Sequence, residues 1–277
     1  MGLTKKQRAA NYFAQHRALL QCPICHEAMM VEENGTVRCE ENHSFDMAKQ
    51  GYVNMMTHPA TSMYDKSLFE ARKEVIDSDL YRAVYNVILA ELDGDVAILD
   101  TGCGEGSHLA KLKESYASSM VASGIDIAKE GIVQAAKNYA DMMWVVGDLA
   151  KSPYAENAFD VILNFLSPAN YEEFKRILKP NGKVIKIVPQ AGYLRELRAL
   201  FFADSEKESY SNDKTVARFS ENFDDVRVQR VTTTLPIRSE LVPLLAHMTP
   251  MGWHQEQQIE AGMLTEITID VDVLIGQ

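Results

Sequence analysis

Ala97-Ile98-Leu99-Asp100-Thr101-Gly102-Cys103-Gly104-Glu105-Gly106-Ser107 is the stretch that decides the fold. An apolar strand runs directly into three alternating glycines and then into the helical pattern His108-Leu109-Ala110-Lys111-Leu112. Glycines at this point let the chain turn sharply and let backbone approach a ligand at the carboxyl end of a first parallel strand. Asp100 sharpens the reading: an acid here repels a pyrophosphate but can help hold an aminoacyl ammonium, directly or through water. The preference is therefore for S-adenosylmethionine over a dinucleotide, with Asp100 and the loop glycines Gly102, Gly104 and Gly106 as candidate contacts.

Working outward, Gly124-Ile125-Asp126 ends a second strand, where Asp126 is placed to accept hydrogen bonds from ribose hydroxyls. Asp148, in Val145-Val146-Gly147-Asp148, ends a third strand, where an adenine amino group could donate to it. Short apolar runs at Val96–Asp100, Ser123–Ile127, Met143–Val146, Phe159–Leu166 and Lys183–Val188 alternate with helical patterns, which predicts a parallel sheet covered on both faces. Val226–Leu235 and Glu266–Leu274 read as an antiparallel pair that finishes a mixed sheet. Before the first strand, Leu68, Ala71, Val75, Leu80, Val84, Val87, Ile88 and Leu92 recur at helical spacing, with a break near Asp77-Ser78-Asp79.

Upstream lies a different kind of signal. Cys22, Cys25, Cys39 and His43 follow the spacing C-x2-C-x13-C-x3-H, two close pairs that can close a tetrahedron around one zinc ion. Cys22-Pro23-Ile24-Cys25 has the form of a zinc-ribbon knuckle. The one other cysteine is Cys103, so a disulfide framework is not expected. Four protein ligands leave no open position, which makes the metal structural rather than catalytic.

The 277 residues carry a formal charge of −11, which argues against a general nucleic-acid binder. The charge is unevenly spread: residues 1–50 hold six cations and six acids, and residues 1–21 hold Lys5, Lys6, Arg8 and Arg17 with no acid. If a polyanion binds, these cations meet it first, provided that residues 1–21 are more than a solvated tail. No apolar run approaches the ~20 residues needed to span a bilayer, and no apolar leader opens the sequence, so the cytoplasm is the expected compartment.

From about residue 80 to 190 the sequence resembles the class I S-adenosylmethionine-dependent methyltransferases, including the later Ile177-Leu178-Lys179-Pro180-Asn181-Gly182-Lys183-Val184 turn. The resemblance implies an α/β, Rossmann-like, doubly wound sheet of seven strands whose last is antiparallel, here with a small N-terminal zinc-ribbon module. Together with the cysteine cluster, His43-Ser44-Phe45-Asp46-Met47-Ala48-Lys49-Gln50-Gly51-Tyr52-Val53-Asn54 and Met248-Thr249-Pro250 followed by Trp253 resemble the bacterial 23S ribosomal RNA guanine-N1 methyltransferases. One branch of those enzymes confers resistance to the macrolide tylosin.

That resemblance implies zinc on Cys22, Cys25, Cys39 and His43, and the donor near Tyr81, Gly104, Glu105, Gly106 and Tyr193. Tyr193 departs from relatives that carry His there. The implied division is residues 1–60 as a zinc-binding, RNA-recognition module and 61–277 as the methyltransferase domain. The implied partner is a hairpin of 23S ribosomal RNA, with a homodimer as the expected assembly and no membrane. Phe165, Tyr171 and Tyr52 are candidates for base stacking, or else core aromatics. Asn164-Phe165-Leu166-Ser167-Pro168 is expected to face the donor methyl, and no residue is assigned as a catalytic base. Two other readings share the motifs: a methyltransferase of a small molecule or protein, and a non-catalytic zinc-ribbon binding protein.

Overall fold

Thr4 begins the first helix with a reciprocal cap. Its hydroxyl accepts from the Gln7 N–H, and the Gln7 side chain accepts from the Thr4 N–H. The helix that follows, α1 (Lys5–Gln15), buries Ala10 and Phe13, three positions apart on one face. The computed structural model describes residues 2–59, 64–202, 210–253 and 259–277. The expected boundary between residues 60 and 61 lies outside the described residues.

The chain divides into two compact units, Met1–Lys66 with Leu92–Val184 and Ser67–Glu91 with Ile185–Gln277. In the first unit, β1 (Met29–Val31), β2 (Thr36–Cys39) and β3 (Ser44–Asp46) form a small antiparallel sheet, in the order β1-β2-β3. The larger sheet of this unit contains β4 (Tyr52–Asn54), β5 (Val96–Thr101), β6 (Met120–Asp126), β7 (Met143–Val146) and β8 (Phe159–Phe165), in the order β8-β5-β6-β7-β4. Helices α4 (Ser107–Ser115) and α5 (Lys129–Asn138) connect β5 to β6 and β6 to β7, and α6 (Tyr171–Ile177) follows β8. Every residue of β5 is buried, as a central parallel strand requires. From β5 the chain steps one way to β6 and β7, and β8 then returns to the other flank of β5. The order therefore reverses at the carboxyl end of β5, which is where open α/β sheets bind their ligands.

β4 was not anticipated. It lies between the cysteine cluster and the helices, yet it pairs in parallel with β7, Tyr52 opposite Trp144 and Asn54 opposite Val146. The Met55 N–H extends the ladder to the Val146 carbonyl at 2.9 Å. Helix α1 is likewise seated on this unit: the Tyr12 hydroxyl accepts from the Ala122 N–H of β6 and from Lys113 Nζ of α4, both at 3.2 Å.

This arrangement revises the role of the N-terminal cations. Residues 5–15 are helix, not a tail, and Arg8 forms a two-pronged pair with Asp141 while Lys5 donates to the Lys137 carbonyl. The Arg8 guanidinium holds the Asp141 carboxyl below its ordinary range. Arg17 donates through Nη1 to the Ala14 carbonyl at 3.4 Å, so three of the four cations are bonded to the protein itself.

Strand β9 (Leu178–Pro189) runs from the first unit into the second. In the second unit it is followed by β10 (Val226–Pro236) and β11 (Glu266–Gly276) in the order β10-β11-β9, with β10 and β11 antiparallel over 11 residue pairs. Counted from β5, the seven strands anticipated for this fold class are present among the described residues, and β4 is an eighth. The unit also holds α3 (Arg82–Ala90), α7 (Arg195–Phe202), α8 (Asp213–Ser220), α9 (Leu241–Met248) and all but the first residue of α2 (Lys66–Asp77). The break foreseen between α2 and α3 occurs at Asp79, which takes a left-handed φ of 64°.

Phe13 is fully buried, so Phe13→Ala should destabilise the protein by about 3–5 kcal/mol in denaturant unfolding. Arg8→Ala, at an exposed pair, should leave the midpoint close to that of wild type. A Phe13→Ala midpoint equal to wild type would mean that α1 is not part of the folded unit.

Candidate functional site

The four metal-ligand candidates converge. One ligand atom from each of Cys22, Cys25, Cys39 and His43 lies within 4.8 Å of every other. Cys25 Sγ to Cys39 Sγ is 3.6 Å, and His43 Nδ1 lies 3.3, 3.5 and 3.6 Å from the sulfurs of Cys25, Cys39 and Cys22. A tetrahedral ion with bonds of about 2.3 Å to sulfur and 2.0 Å to nitrogen needs ligand edges of ~3.5–3.8 Å, so the donor set fits zinc. Two matched turns build it. The His26 N–H donates to the Cys22 carbonyl and the Asn42 N–H to the Cys39 carbonyl, and His26 and Asn42 take left-handed φ values of 64° and 63°.

At the end of β5, the glycine loop is fastened to the neighbouring strand. Gly102 and Cys103 N–H groups donate to the Ile125 carbonyl at 2.8 and 3.2 Å, and the Gly104 N–H donates to Asp126 Oδ2 at 2.8 Å. The second oxygen of Asp126 accepts from the Ala128 N–H at 2.7 Å, just before α5. Gly102, Gly104 and Gly106 all have positive φ, at 71°, 57° and 79°. Asp100 and Glu105 are buried in the same loop, 1 % and 0 % exposed. Two acids beside a helix N-terminus suit a cationic ligand group and disfavour a phosphate, so the residues fit the donor of a methyl group better than a dinucleotide.

Asp148 ends the third strand, and both of its carboxylate oxygens have protein neighbours. Oδ1 accepts from the Ala150 N–H at 2.8 Å, capping the short helical turn Leu149–Lys151, and Oδ2 lies 3.5 Å from His58 Nε2. The segment after β8 is held from within. Asn164 is fully buried, and its Nδ2 donates to the Thr101 carbonyl, Thr101 Oγ1 and the Pro168 carbonyl at 3.2, 3.0 and 3.0 Å. Leu166 takes a strained φ of 52° in the same turn.

The aromatic candidates for base stacking are core residues. Phe165 stacks face to face on His108 with centroids 3.7 Å apart, Tyr171 packs edge-on to Phe174, and Tyr52 is buried within β4. In the second unit, Tyr81 and Tyr193 meet through their hydroxyls at 2.7 Å. Burial, reinforced by the neighbouring Tyr81 hydroxyl, pushes the Tyr193 phenol well above its ordinary range.

Trp144 was missed by sequence reasoning. A Cβ on Gly106 or on Gly124 would collide with its ring, so both glycines make room for the tryptophan that locks α4 and β6 around the loop. Gly102 is constrained differently: a Cβ there would collide with Ser167. Single glycines carry no mark of which neighbour demands them. A Trp in a four-residue central strand was the signal available.

The chain matches two family models, "RlmA, N-terminal" over residues 20–60 and "Methyltransferase domain" over residues 98–182. It is 38 % identical to YxjB of Bacillus subtilis, provisionally named a 23S rRNA (guanine-N(1)-)-methyltransferase, over 94 % of this chain and 97 % of that one. It is 29 % identical to the 23S rRNA (guanine(748)-N(1))-methyltransferase of Streptomyces fradiae, over 90 % of both. A solved SAM-dependent methyltransferase from Aquifex aeolicus is similar over 76 % of this chain and 98 % of its own, with a TM-score of 0.47 and 16 % identity.

The metal site yields a direct test. Metal analysis should find about one zinc per chain, and Cys39→Ser should lower both metal content and thermal stability, because metal binding supplies folding free energy to so small a sheet. Full zinc content in a Cys22→Ser, Cys25→Ser, Cys39→Ser triple variant would refute the site.

Proposed function

The chain belongs to the 23S ribosomal RNA guanine-N1 methyltransferase family, and from that membership we propose that it transfers a methyl group from S-adenosylmethionine to N1 of a guanine in a hairpin of 23S ribosomal RNA. The observation that carries the reading is the pairing of a Cys3His metal site with an acid-lined glycine loop at the switch point of the sheet. In this reading the loop Gly102–Gly106, Asp100 and Asp126 receive the donor, Asp126 using carboxylate lone pairs beyond those given to Gly104 and Ala128. Asp148 contributes at the adenine end. Tyr81 and Tyr193 are donor-contacting residues carried over from the family motif, and the aromatic at 193 takes the place of the relatives' His.

The bound donor supplies an electrophilic methyl group, so the protein's task is largely alignment. The N1 atom of guanine carries a proton at neutral pH and lies on the pairing edge. The base must therefore sit in a loop or leave its stack before it reacts, and an acceptor must take the proton. Asn164 is fixed to Thr101 and Pro168 through its amide nitrogen, and no residue is assigned as that acceptor.

The test is incubation of the zinc-loaded protein with labelled donor and 23S ribosomal RNA, followed by mass mapping of RNA fragments. One methyl on one guanine, at the N1 position, is expected. Label transferred to a small molecule or a protein, with none to RNA, would overturn the substrate assignment.

A further inference from the structure

Strand β11 carries two carboxylates on one face, Asp270 and Asp272, only 2 % and 4 % exposed. Burying an ion pair is a poor route to stability, because desolvation offsets most of the attraction. The partners of these acids point to another purpose. Asp270 Oδ1 accepts from Arg230 Nε at 2.9 Å and from Thr232 Oγ1 at 2.7 Å. Its Oδ2 accepts from Arg230 Nη2 at 2.8 Å and from the Gly192 N–H at 3.0 Å. Asp272 Oδ2 accepts from Gln190 Nε2 at 2.6 Å and from Asn212 Nδ2 at 2.9 Å.

Both acids thus grip the turn that follows β9. The main chain adds three further ties: Gln190 N–H to the Asp270 carbonyl at 2.9 Å, Tyr193 N–H to the Gln190 carbonyl at 2.9 Å, and Leu194 N–H to the Thr268 carbonyl at 2.8 Å. A Cβ on Gly192 would lie 2.6 Å from Asp270 Oδ2, so residue 192 is glycine because the carboxylate sits beneath it. The next residue is Tyr193, whose hydroxyl ends on that of Tyr81. The Arg230 guanidinium keeps the Asp270 carboxyl below its ordinary range, so the grip is charged at all physiological pH values.

We propose that Asp270 is a positioning residue for the methyl donor: through Gly192 it fixes the turn that sets Tyr193, and with it the Tyr81–Tyr193 hydroxyl pair. The proposal rests on the donor-contacting role given to Tyr81 and Tyr193 above. Arg230 and Thr232 hold the carboxylate in place, and Asp272 holds the start of the same turn.

A double-mutant cycle with S-adenosylhomocysteine as the probe tests it, read by calorimetry on zinc-loaded protein. Asp270→Asn and Tyr193→Phe should each raise Kd about tenfold, and the double variant should bind no more weakly than the weaker single variant. A merely structural role for Asp270 would not give this coupling. Additive, ~100-fold weakening in the double variant would overturn the proposal, as would wild-type binding by Asp270→Asn beside weakened Tyr193→Phe. Wild-type binding by Tyr193→Phe would instead refute the donor role of Tyr193, which is the underlying reading. If Asp270→Asn does not fold, Arg230→Gln takes its place in the cycle, since the Arg230 side chain is 55 % exposed, and the same coupling is required of it.

Discussion

Asp126 uses both of its oxygens on backbone N–H groups, one from the glycine loop at Gly104 and one from Ala128 at the start of α5. The main chain of the same residue accepts from the Gly147 N–H at 3.0 Å, which fixes the end of β7. One residue therefore sets the spacing of three strand ends. Hydrogen bonds to an ionised acceptor are about twice as strong as neutral ones, and the loop they hold has three residues at positive φ that would otherwise sample many conformations. Everything proposed for the donor depends on that loop being held open in one shape.

The metal site is built into the same frame. The ribbon strands β1–β3 carry the two cysteine turns, and the chain leaving them becomes β4, which completes the edge of the sheet beside β7. Ahead of them, α1 is fastened to β6 by the Tyr12 hydroxyl and to Asp141 by Arg8. An N-terminal element that contributes an edge strand and a buried Phe13 is not a detachable adaptor. The cluster that would hold the metal and the sheet that carries Asp126 belong to one compact unit, so metal binding there would stabilise both together.

Much of this was legible in the sequence, for identifiable reasons. Strand periodicity and glycine punctuation located the strands from β5 onward, and Met143–Val146 was found to the residue. Cysteine spacing located all four residues that converge in the Cys3His cluster. β4 escaped because three residues are too few for a periodic signal, and its partner lies 92 positions away, Tyr52 against Trp144. Helix α1 was read through its charge, although Thr4-Lys5-Lys6-Gln7 has the capping-box pattern and Ala10 and Phe13 share a face. Burial separated the aromatics: nothing in the sequence says that Phe165 is stacked beneath His108. The alternation Thr268, Asp270, Asp272 did mark a polar face on β11, but Arg230 and Gly192 could be joined to it only by the fold.

The central claim is that Asp126 organises the donor site. Calorimetric titration with S-adenosylhomocysteine into wild-type protein and Asp126→Ala tests it most directly, with melting curves to confirm that both are folded. Loss of the carboxylate should cost about 1–3 kcal/mol, a roughly 5- to 150-fold rise in Kd. A folded Asp126→Ala protein that binds with wild-type affinity would contradict the account.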